Sequence, residues 1–86
     1  MALPNPSASS DPVADLAARL RAAQLPSPSA RRRIRERAGV SLREAAAALG
    51  VHLTTFHRWE RGAQPRLEDA IRYKHLLEVL DDVAKS

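Results

Sequence analysis

The stretch SLREAAAALGVHLTTFHRWERG, Ser41 to Gly62, decides the fold. Ser41 followed by Glu44 is a capping box, the reciprocal pair of side-chain-to-backbone bonds that opens a helix. That helix spans Leu42–Leu49 and stops at Gly50; a second spans Leu53–Arg61 and stops at Gly62. Only Gly50-Val51-His52 lies between them. So short a turn forces the second helix to cross the first steeply, and Gly50 supplies the backbone freedom. Close crossing demands small residues on the inner face of the first helix, and Ala45, Ala46 and Leu49 meet that demand. Val51 and Phe56 plug the angle from the other side, and Trp59 extends the core toward the last helix. Leu53, Thr54, His57, Arg58 and Arg61 are left facing outward.

Both flanks read as helix. Upstream, Ser29 caps a segment from Ala30 to Ala38 that Gly39 ends. Arg31-Arg32-Arg33 falls on its solvated face. Further upstream, Asp11-Pro12 is an N-cap followed by Pro at the first helical position. Val13, Leu16, Ala17 and Leu20 then form one apolar stripe of a helix from about Pro12 to Gln24, broken by Leu25-Pro26-Ser27-Pro28-Ser29. This helix either caps the domain or exchanges with a partner subunit. Downstream, Pro65 opens a last helix, and Arg66 to Lys85 holds no Gly or Pro to interrupt it. Its apolar positions are Leu67, Ala70, Ile71, Leu76, Leu77, Leu80, Val83 and Ala84. The organisation is a disordered tail over 1–11, an extra helix and Pro/Ser linker over 12–29, and the main domain over 30–86. The fold class is all-α, a compact bundle of four to five helices with a long C-terminal helix. One Trp, one Phe and one Tyr leave most of the packing to aliphatic residues and Ala, which favour helix.

Composition narrows the function. The 86 residues suffice for one small domain. There is no Cys, so disulfides, thiolate zinc sites and cysteine nucleophiles are excluded. The longest apolar run, Ala45–Leu49, falls far short of the ~20 residues that span a bilayer, and the N-terminus does not read as a secretory signal. These features point to a cytoplasmic protein with no membrane partner and no small-molecule substrate. His52, His57 and His75 stand at no i,i+3 or i,i+4 spacing, so no metal site and no catalytic residue is assigned. The chain reads as a non-enzyme with no cofactor. Charge is placed unevenly: residues 1–29 sum to zero, residues 30–66 hold nine Arg against three Glu, net +6, and residues 67–86 sum to −2. Arginine is the side chain suited to bidentate phosphate and guanine contacts, although an Arg-rich helix is also compatible with a merely solvated face.

The segment ARRRIRERAGVSLREAAAALGVHLTTFHRWERGAQPRLEDA, Ala30–Ala70, resembles the Cro/repressor-type helix-turn-helix family, also called the xenobiotic-response-element type. The resemblance extends to about Leu77. It is carried by Arg35, Gly39, Ser41, Ala46, Gly50-Val51, Phe56, Trp59-Glu60-Arg61-Gly62 and Pro65 with Leu67, in order and at family spacing. The Trp before Glu60, with Tyr73, Leu76 and Leu77 behind it, is similar to actinobacterial and phage members. The resemblance implies that the helix 53–61 lies in the major groove of double-stranded DNA. Leu53, Thr54, His57 and Arg58 would face base edges, with Arg58 suited to guanine. Arg43, His52, Arg61, Gln64 and Arg66 would contact phosphates, and the amides that begin the helix at Leu42 would add a phosphate site. Arg35 and Glu60 would form an ion pair that positions the second helix. This chain departs from the family at Leu42, where a Gln is frequent, and in its unbroken last helix.

The reading that follows is a sequence-specific transcriptional regulator, in its simplest form a repressor. It would act as a homodimer on an inverted repeat, with Leu76, Leu80 and Val83 as the candidate dimer surface. A mobile-element architectural or recombination-directing protein, an antitoxin bound to a protein partner, and an interaction adaptor that kept the fold are the alternatives. The Ser41–Gly62 pattern also suits an ordinary helical hairpin in a scaffold.

Overall fold

In a computed structural model describing residues 11–86, the chain forms five helices and, among the described residues, no strand. They are α1 Pro12–Ala22, α2 Pro28–Arg37, α3 Leu42–Leu49, α4 Leu53–Glu60 and α5 Leu67–Lys85. The tail expected over 1–11 lies, except for Asp11, outside the described residues.

Local chemistry sets most of the helix starts. Asp11 Oδ1 accepts the amides of Val13 at 3.0 Å and Ala14 at 3.3 Å, and Pro12 takes the first helical position. α2 begins two residues before the start that Ser29 predicts. Ser27 is the cap, its Oγ accepting the Ala30 amide at 3.2 Å, and Pro28 lies in the first turn. A proline there loses no hydrogen bond and arrives with a helical φ, so Pro28 starts a helix where the sequence suggested a break. The Ser41–Glu44 capping box is present in both directions: Ser41 Oγ accepts the Glu44 amide and Glu44 Oε1 accepts the Ser41 amide, each at 3.0 Å. Those bonds hold the Glu44 carboxyl below its ordinary pKa.

The turn between α3 and α4 is closed at Gly50, which adopts φ +68°. The Val51 amide bonds to Ala46 O at 3.0 Å and the Gly50 amide to Ala47 O at 3.1 Å. This left-handed C-terminal motif satisfies two carbonyls that the helix end would otherwise leave orphaned. The chain thus passes from α3 to α4 within Gly50-Val51-His52, as the spacing requires.

The core is built where α3, α4 and α5 meet. Ala45, Ala46 and Leu49 of α3 are buried against Phe56 and Trp59 of α4 and Tyr73 and Leu77 of α5. The chain's three aromatic residues form one cluster. Phe56 and Tyr73 lie 5.2 Å apart, Trp59 stacks on Tyr73 at 5.7 Å, and Phe56 meets Trp59 edge-on at 6.3 Å. Tyr73 is among the most buried side chains, although it stood outside the apolar set expected of the last helix. The signal was present: Ala70, Tyr73, Leu77 and Leu80 recur at helical spacing and are the buried residues of α5. Leu80 therefore packs inside the chain's own domain.

α1 packs along α5, tied by Arg19 to Glu68 at 3.4 Å and by Lys74 Nζ donating to Arg21 O at 3.0 Å. None of its residues is buried, and Val13, Leu16 and Leu20 remain exposed. It covers the domain without sealing it.

Removing one half of the capping box tests how far local signals carry the fold. Ser41→Ala is expected to lower stability by about 1 kcal/mol, read as the urea midpoint at unchanged slope. The Glu44 bond contributes above the ordinary carboxylate pKa and is lost as pH falls through the lowered value. The Ser41 amide that makes this bond is kept in Ser41→Ala, so both proteins lose its contribution in acid.

Candidate nucleic-acid interface

α4 divides cleanly into two faces. Phe56, Trp59 and Glu60 are buried, while Leu53, Thr54, His57 and Arg58 are exposed. With 3.6 residues per turn the four exposed positions form one patch over two turns. Trp59, at 5% exposure, is core and cannot stack on a base. Leu53, Thr54 and His57 share a shallow groove of about 380 Å³ with Ser41, Leu42 and Arg43 of α3. Two elements thus converge on one surface.

The other sequence-derived positions surround this patch. Arg43 and His52 are exposed at the starts of α3 and α4, and Arg61, Gln64 and Arg66 are exposed on the segment after α4. His52 is the residue before α4 and makes no side-chain capping bond there. The α3 capping box engages the amides of Ser41 and Glu44; those of Leu42 and Arg43 are not part of it. Leu42 itself is half-buried and packs against the core, so this apolar side chain supports α3 and offers no polar group to a ligand.

Beneath the patch lies a buried ion pair. Glu60, whose side chain is 2% exposed, accepts from Arg35 Nε at 2.5 Å and Arg35 Nη2 at 3.0 Å. The third guanidinium nitrogen, Nη1, donates to Val40 O at 2.9 Å. The bond to Glu60 raises the Arg35 pKa against the opposing effect of its own burial. Arg32, half-exposed, approaches Glu60 at 3.6 Å. One fork therefore joins α2, the α2–α3 turn and the end of α4.

The family model of the helix-turn-helix domain matches residues 32–85. The chain belongs to this family, in its Cro/repressor-like form. Neither a curated protein nor a solved structure matches the chain. α3 and α4 are the two helices of the motif, and α1 with its linker precedes the matched residues. Helix-turn-helix domains are the DNA-binding part of regulators, and the exposed face of the second helix here, which carries Thr54, His57 and Arg58, has the matching chemistry.

Two features departed from expectation. Arg31 is not on the solvated face of α2: it is 5% exposed, with its guanidinium 5.4 Å from the centre of the Tyr73 ring. Arg31, Ile34, Arg35 and Ala38 share the inward face of α2, so only Arg32 and Arg33 of the basic triplet are exposed. Of the residues proposed for a subunit interface, Leu80 is buried and Leu76 packs half-buried on the core, whereas Val83 is exposed together with the neighbouring Val79. His75, also exposed, borders a groove of about 430 Å³ with Ala48, Ile71, Leu76 and Val79, separate from the α4 patch.

Arg35→Ala leaves the Glu60 carboxylate buried with only a distant partner. The expected loss is about 3–5 kcal/mol in urea unfolding. Arg32→Ala, at a half-exposed side chain, should cost no more than about 1 kcal/mol.

Proposed function

We propose that the protein is a sequence-specific regulator of transcription that inserts α4 into the major groove of double-stranded DNA. The observation that supports this best is the exposed set Leu53, Thr54, His57 and Arg58, convergent with the start of α3 and flanked by Arg43, Arg61 and Arg66. Arg58 donates two parallel bonds to a guanine edge, while Leu53 and the Thr54 methyl meet a thymine methyl. His57 lies at the edge of the same reading face. Arg43, His52, Arg61, Gln64 and Arg66 hold phosphates and set the register. Binding, not catalysis, is the activity, and repression by occluding a promoter is its simplest form.

A domain of this size covers a half-site, so two copies on an inverted repeat would place their α4 helices roughly 34 Å apart. The groove beside Leu76 and Val79, with Val83 further along α5, is the apolar surface available to the second copy. Among the described residues no helix is long and apolar enough to cross a membrane. We place the protein with the DNA, in the cytoplasm.

Selection from a random duplex library tests the proposal. The expected winner is a palindrome bound far more tightly than random DNA, with a steep dependence on salt. Absence of enrichment would sink it. On the selected site, Arg58→Ala is expected to cost about 1–3 kcal/mol and to relax preference at one base pair. Arg61→Ala and Arg66→Ala should weaken binding to all sequences alike and lower the salt slope by about one each.

A further inference from the structure

The motif does not use Arg31. Its Nε and Nη1 are buried with no hydrogen-bond acceptor in good geometry, and its close partner is Tyr73, through the ring face and the neutral phenol. A ring face offsets a desolvated guanidinium weakly compared with a carboxylate or phosphate. The one buried carboxylate nearby, Glu60, is already held in a fork by Arg35 and approached by Arg32. Glu60 is therefore shared by Arg35 and Arg32, and Arg31 makes no ion pair with it.

The small part of Arg31 that stays accessible opens on a cleft of about 400 Å³. One wall is the α1–α2 linker, including Gln24 and Ser27; the other is the segment after α4, including Gly62 and Gln64. The lining holds no acidic residue and is mostly polar. Pro28 and the first turn of α2 also border it, and that helix end carries the positive pole of its dipole. An unpaired buried cation, a helix amino terminus and neutral hydrogen-bonding side chains thus converge on one opening. All three favour an anion.

We infer that this cleft is a phosphate-binding site in which Arg31 is the charged ligand, with Ser27 and Gln64 positioned to donate from the two walls. The chemistry is that of a phosphate oxyanion, and two sources supply it: a backbone phosphodiester of bound duplex, which Gln64 would bring within reach, or a free phosphate group. The second source does not depend on DNA recognition, so the site stands or falls separately from the function proposed above. The linker that forms one wall lies outside the residues matched by the family model, so the cleft is completed by a segment added to the motif.

The test uses the full chain, wild type and Arg31→Met, which keeps much of the side chain's length and removes its charge. Melting is followed in sodium phosphate and in sodium chloride at matched ionic strength, without DNA. Binding to the selected duplex, or to random duplex if none is selected, is titrated against chloride. If free phosphate is the ligand, the wild type shows a saturable rise in Tm that Arg31→Met lacks, and the two proteins share one salt slope on DNA. If the duplex supplies the phosphate, the slope of log K against log salt is about one unit shallower in Arg31→Met. An equal Tm rise in both proteins is the general effect of an excluded salt; combined with equal slopes it overturns the site, as does no rise with equal slopes. Should Arg31→Met fail to fold, the Arg31 Nε–H resonance of the wild type decides. A saturable shift on adding phosphate or duplex supports the site, and no shift with either refutes it.

Discussion

A single buried carboxylate governs how the motif is held. Glu60 ends α4 in the interior, where an ion without a partner is costly. Arg35 meets both of its oxygens and spends the remaining nitrogen on Val40 O, in the turn between α2 and α3. A buried pair of this kind gains little over two apolar side chains, but its geometry is directional. The direction matters because α4 has only eight residues, and the fork acts with buried Phe56 and Trp59 to set its rotation. With Glu60 held inward, Leu53, Thr54, His57 and Arg58 point out, since helical periodicity couples one face to the other.

Packing does the complementary work. Small side chains let α3 approach α4 closely, and the large ones are concentrated where α4 meets α5. Phe56, Trp59 and Tyr73 make up the whole aromatic content of the chain, and they form one cluster. The long α5 acts as the surface against which α1, α2 and α3 are assembled. α1 is the least committed element: two polar ties hold it while its apolar stripe stays exposed.

The distribution of arginine separates into tasks once burial is known. Arg35 positions α4, Arg31 is enclosed at the mouth of a cleft, and Arg43, Arg58, Arg61 and Arg66 are exposed on the segments around the motif. An excess of positive charge over residues 30–66 therefore combines internal scaffolding with an exposed cationic surface around the motif.

The sequence by itself determined the helices and the turn. Asp11, the Ser41–Glu44 box and Gly50 act through bonds to backbone a few residues away, so their effect is legible without a partner. The exposed face of α4 was legible for a related reason, because the positions of Phe56 and Trp59 in the core fix the opposite side. The start of α2 was misplaced because Ser27 and Ser29 carry the same capping group, and which serine caps depends on where Pro28 enters the helix. Tertiary structure alone decided the rest. Helical spacing permits burial of Tyr73 and Leu80, but which helix covers them, and that Arg31 lies over a ring, follow from α2 and α5 facing each other. Burial belongs to two surfaces in contact, and a pattern read along one helix does not specify which neighbour covers it.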